Sequence, residues 1–296
     1  MRALLALVPA IAALGCGPQR AQVIGKTPDP SSTIDVCKAY NKLSTAAEGP
    51  FAGNIQSCAP GAVDPGSAAS ALLKMNTYRS FLGLPAVSAD AALNAKAQAC
   101  ALMMDANDAL SHMPPANWRC YSPEGAQGAG SSNISTGPIV ESIDGFMLDP
   151  GNETTIGHRR WILSNGLRTV GFGSAPGGSC LWIIHPMSGD RDFSAWPPPG
   201  PFPSGLLSDR FSRLDQTGWT IQSDVLDLAG ATVSIHSDGA DLPIDQTDLL
   251  PGYGSGSAIK MTPKGWSSTI GKKYTVRVEG LPMALEYTVE IVDCAS

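Results

Sequence analysis

Charge and aromatic rings are both scarce in this chain: charged residues make up 16% of its 296 positions and aromatic residues 6%. The net charge is −6, and no run of Lys and Arg is longer than two. Without a basic stripe nothing neutralises a phosphate backbone, so nucleic-acid binding is excluded. None of the seven cysteines forms a CxxC pair, which removes the zinc-ribbon spacing. There is no Gly-x-Ser-x-Gly elbow, no His-Glu-x-x-His and no Walker loop. Gly265–Lys272 comes near the last, with one residue too many between its glycines. No apolar run reaches the roughly 20 residues that a bilayer span requires.

What is present begins with an export signal. Met1–Gly15 joins a positive Arg2 to the short apolar run Ala3–Leu14, and small residues follow. Ala13-Leu14-Gly15-Cys16 resembles the lipobox of bacterial lipoproteins, with Cys16 as the lipidated residue and the membrane as partner. The order of Ala13 and Leu14 is the reverse of the usual one. Ala10-Ile11-Ala12 offers ordinary cleavage instead, giving a soluble secreted protein. Either way six cysteines remain, an even number that reads as three disulfides in an exported chain. Sequence alone does not choose the pairing; the working assignment joins Cys37–Cys58, Cys100–Cys120 and Cys180–Cys294.

Length suggests two domains behind a tether. Residues 16–66 are rich in Pro, Gly, Ser and Ala, and read as a tether with a small decoration stapled by Cys37 and Cys58. Leu72, Met75, Tyr78 or Arg79, and Leu82 then recur at helical spacing over Ser67–Leu82. Ser88 is expected to cap a second, Ala-rich helix over roughly Ala89–Asn107. Ile139, Ile143 and Phe146 or Met147 predict a third, ended by Asp149-Pro150-Gly151. Gly125–Ser132 between them reads as a Gly/Ser/Ala-rich connection.

The stretch Gly157–Gly173 organises the rest. It reads as a helical turn, a tight connection at Asn165-Gly166, and a strand carrying Val170 and Phe172. His158 opens it, placed to face a cleft while Trp161 and Leu163 anchor the backbone; a histidine satisfied in the core is the bland alternative. Leu181–His185 is a continuous apolar run consistent with a buried strand.

Asn76-x-x-Arg79, Leu84-Pro85, Leu110-Ser-His112, Ser132-Asn133-Ile134, Gly157-His158 and Val170-Gly-Phe-Gly173 occur in one order. Together they resemble the CAP superfamily of cysteine-rich secretory, antigen 5 and pathogenesis-related proteins, between about Ser67 and His185. The resemblance implies an α-β-α sandwich with a cleft lined by two histidines and two acidic residues. His112 and His158 match the histidines. One acidic position falls on Ser132, so that carboxylate is missing; the other falls on Asp149, with Glu141, Asp144 and Glu153 as alternates. Two histidines and one aspartate could hold a divalent metal such as zinc only weakly, since tight sites use three or four protein ligands. The same three residues, His112, His158 and Asp149, are the candidates for acid–base catalysis.

The Pro-rich segment within residues 191–210, Ala195–Pro203, is a linker or a strap over the first domain, because proline lacks the amide donor. Beyond it, Trp219–Leu226, Ala231–His236, Ala258–Thr262, Lys273–Glu279 and Glu286–Asp293 alternate as strands of an antiparallel β-sandwich over 211–296. The fold class is therefore α+β: a CAP-like domain over 67–190, then the sandwich. The functional readings are three. The first is an envelope-anchored protein binding a lipid, glycan or protein through His112, Ser132, Asp149 and His158. The others are a metal-assisted hydrolase or peptidase using His112 and His158, and a structural envelope protein.

Overall fold

The computed structural model describes residues 29–186, 189–282 and 285–294. The expected signal segment and Cys16 lie outside the described residues. Among the described residues no helix is long and apolar enough to cross a membrane.

Side-chain caps start most of the helices. Ser32 accepts from the Asp35 amide at the head of α1 (Thr33–Asn41), and Asp64 accepts from the Ser67 amide at the head of α2 (Pro65–Phe81), with Pro65 in the first turn. The expected Ser88 cap is corrected. Ser88 and Ala89 form a short strand, β1 (Ser88–Ala89), and Asp90 caps α3 (Ala91–Asn107) by accepting from the Leu93 amide. α4 (Pro123–Gly130) was not legible as a helix, because glycines make up much of it. They are there for closeness: a Cβ on Gly128 would stand 2.4 Å from the Lys96 carbonyl of α3. β2 (Ser132–Ser135), α5 (Ile139–Leu148), α6 (Gly157–Ile162), β3 (Thr169–Ala175) and β4 (Gly178–Trp182) complete this part.

Its sheet runs β1-β3-β4-β2. Strand β3 explains the Val-Gly-Phe-Gly pattern, because successive residues face opposite ways. Val170 and Phe172 enter a core shared with α2 and α5. Gly171 and Gly173 face α3, where added Cβ atoms would fall 2.4 Å from Leu93 and 2.1 Å from Ala97 backbone atoms. Beyond β1 the open edge of β3 is closed by α3 side chains. Asn94 accepts from the Phe172 amide, and Gln98 both accepts from the Ser174 amide and donates to its carbonyl. A second core on the α3 side gathers Ala97, Met103, Met104 and Ala129 with Ala175. Helices thus cover both faces, making three layers.

The Pro-rich segment is structural. β5 (Ser194–Trp196) pairs with β7 (Trp219–Ser223), and β6 (Gly200–Pro203) pairs in parallel with β13 (Leu285–Val292). Both are edge strands, as proline requires. Parts of the segment expected as a linker or strap are thus edge strands, and the sandwich expected to be antiparallel has one parallel pair. The remaining elements are α7 (Leu214–Thr217), β8 (Thr232–Ser237), β9 (Ala240–Leu242), β10 (Ile244–Asp248), β11 (Ser257–Pro263) and β12 (Lys273–Glu279). One sheet runs β10-β11-β7-β5 and the other β6-β13-β12-β8-β9. Trp219 of the first meets Tyr274 of the second edge-on at 5.6 Å, and Ile221, Ile259, Val276 and Ile291 share the same core.

The disulfides join Cys37–Cys294, Cys58–Cys120 and Cys100–Cys180. All three working assignments, Cys37–Cys58, Cys100–Cys120 and Cys180–Cys294, are corrected. The reason is topological. Cys180 pairs across from Gly173, which is pressed against α3, so Cys180 lies beside Cys100 of that helix. β13 runs beside β6, which packs on α1, and so delivers Cys294 to Cys37. Cys37 and Cys58 accordingly do not staple a decoration of their own. Three disulfides indicate an exported or extracellular protein.

Candidate functional site

Asp149 is the hub of the site. It follows the last turn of α5 in the left-handed conformation, φ 58°, and its side chain is buried. One carboxylate oxygen accepts from the backbone amides of His158 at 3.0 Å and Arg159 at 3.3 Å, at the start of α6. The other accepts from the Asn152 side-chain amide at 2.7 Å and lies 2.9 Å from His158 Nδ1. A carboxylate oxygen accepts, so Nδ1 is the donor of this contact, with the Asn152 side-chain nitrogen also 3.1 Å from it; in the neutral ring of that tautomer Nε2 is the acceptor that faces outward from the pair. The ring also rests against Phe146, centroid to centroid 4.8 Å. Asn133 of β2 donates to the His158 carbonyl and fixes the backbone from behind.

His158 lines a cavity of about 560 Å³. Its apolar wall includes Leu110, Ile134, Phe146 and Phe211, and its charged rim is the ion pair of Glu141 with Arg210 together with Asp209. Few polar groups in a mostly apolar hollow of this size is the usual make-up of a small-ligand site.

His112 is placed differently. Its Nδ1 donates to the Ala129 carbonyl at 2.9 Å, at the end of α4, and the residue is exposed. It is not among the residues that line the His158 cavity, although Leu110, two positions earlier, is. Ser132 is fully buried, and among the described residues its hydroxyl has no hydrogen-bond partner. It does not line the cavity either. Of the alternate acids, Glu141 borders the cavity, Glu153 accepts from the Gly151 amide in an exposed turn, and Asp144 faces another hollow. Among the described residues no three of His, Cys, Asp and Glu gather so as to hold a metal. The donor set does not fit a tight zinc centre.

Sequence reasoning missed Asn152, Phe146, Arg210 and Phe211. Asn152 could have been found from its spacing three residues after Asp149; Arg210 and Phe211 could not, since they arrive from beyond β6.

The residues after His158 reach the other way. Arg159 and Arg160 are both fully buried. Arg159 donates to the Met147 and Leu148 carbonyls at the end of α5, to the Gly218 carbonyl at 2.7 Å and to the Thr217 hydroxyl. Arg160 donates to the Leu250 carbonyl at 2.7 Å and to Ser255. Burial lowers both guanidinium pKa values to about 10, and the nearby Asp149 charge partly offsets this for Arg159. The helix that presents His158 is thereby bolted to the C-terminal sheets.

No curated protein and no solved structure gives a match to this chain. Residues 72–183 do match the model of the cysteine-rich secretory protein family, CAP. That span runs from within α2 through β4, and so covers the layered part and His112, Ser132, Asp149 and His158. With its three layers and this match, the chain carries a CAP-superfamily domain.

Proposed function

We propose that the CAP domain binds a ligand with an apolar body in the cavity beside His158, and that the His158 Nε2 lone pair accepts a hydrogen bond from it. The observation that carries this is the 2.9 Å contact between His158 Nδ1 and buried Asp149, which orients the ring at the wall of an apolar hollow. The ligand classes in view are a lipid, an envelope glycan or an extended protein segment. The protein is exported and held at the bacterial envelope through a lipidated Cys16, a reading that rests on the Ala-Leu-Gly-Cys sequence. Mass spectrometry of the mature N-terminus tests the anchor; a chain that begins at Ala13 overturns it.

The binding reading is tested by screening lipid and glycan panels for a thermal shift, then measuring hits by calorimetry on the wild type and on His158→Ala. Loss of about one hydrogen bond and its ring contact should weaken binding roughly tenfold. Unchanged affinity would overturn the site.

The same contact supports a second reading, hydrolysis with His158 as general base and Asp149 as the group that orients it. Asp149→Asn would then reduce kcat strongly on any ester or peptide substrate found, while a pure binder would show no turnover to lose.

A further inference from the structure

A second hollow, of about 490 Å³, lies on the other side of α5, between α1, α2 and the segment that follows β6. Tyr40, Tyr78 and Trp196 supply aromatic walls, and Lys74, Asp144 and Asp209 supply charge. Asp144 is already engaged on both oxygens. Lys74 Nζ lies 2.5 Å from one, and the Tyr78 hydroxyl donates to the other at 2.6 Å. Lys74 and Asp144 therefore cancel. Asp209 leaves the cavity one negative charge in excess.

Asp209 is also held in place. Its Oδ1 accepts from the Phe211 and Ser212 amides, both at 2.7 Å, while among the described residues its Oδ2 has no hydrogen-bond partner. The Tyr78 hydroxyl pKa is raised well above its ordinary value, first by burial, then by Asp144, Tyr40 and Asp209, and Asp209 lines this cavity together with Tyr78. A fixed carboxylate oxygen without a partner, beside aromatic rings in a hollow large enough for a small molecule, is the arrangement that recognises an alkylammonium or arylalkylammonium ion.

The geometry points to an organic-ammonium site in this cavity, with the cation on Asp209 Oδ2 and its apolar part against Tyr40, Tyr78 and Trp196. The site is separate from the one beside His158 and shares with it only the Asp209 wall. An anion of equal shape is disfavoured by the net charge, because Lys74 is committed to Asp144.

Calorimetry on the full chain with phenethylammonium, and with 3-phenylpropanoate as the shape-matched anion, tests this. Phenethylammonium should bind at least about tenfold more tightly than the anion. Asp209→Asn keeps the Oδ1 acceptor that closes the turn, and should cost about tenfold in ammonium affinity without changing the circular dichroism spectrum. Leu206→Trp, which fills the cavity from its own wall, should abolish binding even if the first variant proves unstable. The proposal is overturned if the anion binds as well as the cation, if ammonium binding survives Leu206→Trp, or if folded Asp209→Asn binds as tightly as the wild type.

Discussion

Arg159 donates to the Gly218 carbonyl at 2.7 Å, one residue after the histidine that faces the candidate cavity. The backbone that aims His158 is thus set partly by the C-terminal sheets, and the two parts of the chain share a single apolar core. A CAP domain excised at about residue 190 would leave the Arg159 and Arg160 donors without their partners on Gly218, Thr217, Leu250 and Ser255.

Arg159→Met should therefore destabilise the whole chain by about 3–5 kcal/mol, since it strands the carbonyls of Met147, Leu148 and Gly218 in a buried place. Lys should restore little, because one ammonium cannot reproduce a planar fork of donors. Urea unfolding measures both. A loss below about 1 kcal/mol for Met would mean that the interface does not depend on this residue.

Gly173→Ala places a methyl 2.1 Å from backbone atoms of Ala97, which cannot turn away as a side chain can. It should cost about 1–3 kcal/mol or more by pushing α3 off the sheet. Gly145→Ala, on the surface of α5 with nothing within 4 Å of the added atom, is the control and should be neutral or slightly stabilising. Equal melting temperatures for the two variants would contradict the close approach of α3.

The Cys37–Cys294 bridge closes nearly the whole chain, with a sequence separation of 257. Replacing both with Ser should cost roughly 2–5 kcal/mol. α1 would then be held mainly by Val36 and Ala39 in the core and by the Asn41 bond to the Cys294 carbonyl. Limited proteolysis should cut near α1 in this variant before it cuts elsewhere. If cleavage begins in the sheets instead, the bridge is not what holds α1.

His185 supplies the pH test. Its Nδ1 donates to the Pro186 carbonyl, and among the described residues its buried Nε2 has no partner to take a second ring proton. Burial lowers its pKa from the ordinary value near 6.5. As pH falls through about 6.5 the unfolded chain takes up this proton before the folded one does, so stability drops with falling pH. Urea midpoints between pH 7.5 and 5.5 should fall more steeply for the wild type than for His185→Gln. Parallel slopes would show that His185 does not couple folding to protons.

How much of this was legible depends on the range of the interaction responsible. The helix of α5 was readable from Ile139, Ile143 and Phe146, and the strands Lys273–Glu279 and Leu285–Val292 from their alternation, because burial of one face imposes a period on the chain itself. The hidden helix α4 and the cap at Asp90 were not, since glycine content and a choice between two adjacent capping residues do not reveal what packs alongside. Asp149 and His158 entered as candidates through the family resemblance, with Glu141, Asp144 and Glu153 still open as the acid; the contact of Asp149 with His158 is a fact of the folded chain.

By itself the sequence determined the local order: export-type cysteine parity, the succession of helices and strands, the Gly-His entry to α6 and the small residues of β3. Those features arise from periodicity, turn chemistry and redox context, which act over a few residues or through composition alone. Only the tertiary structure decided the disulfide partners, the role of the Pro-rich segment as two sheet edges, the outward placement of His112, and the joining of Arg159 to Gly218. Each of these is a meeting of residues distant in the chain. Loop closure penalises added length only logarithmically, so separation along the sequence says little about which distant groups meet; packing of the sheets against α1 and α3 chooses them.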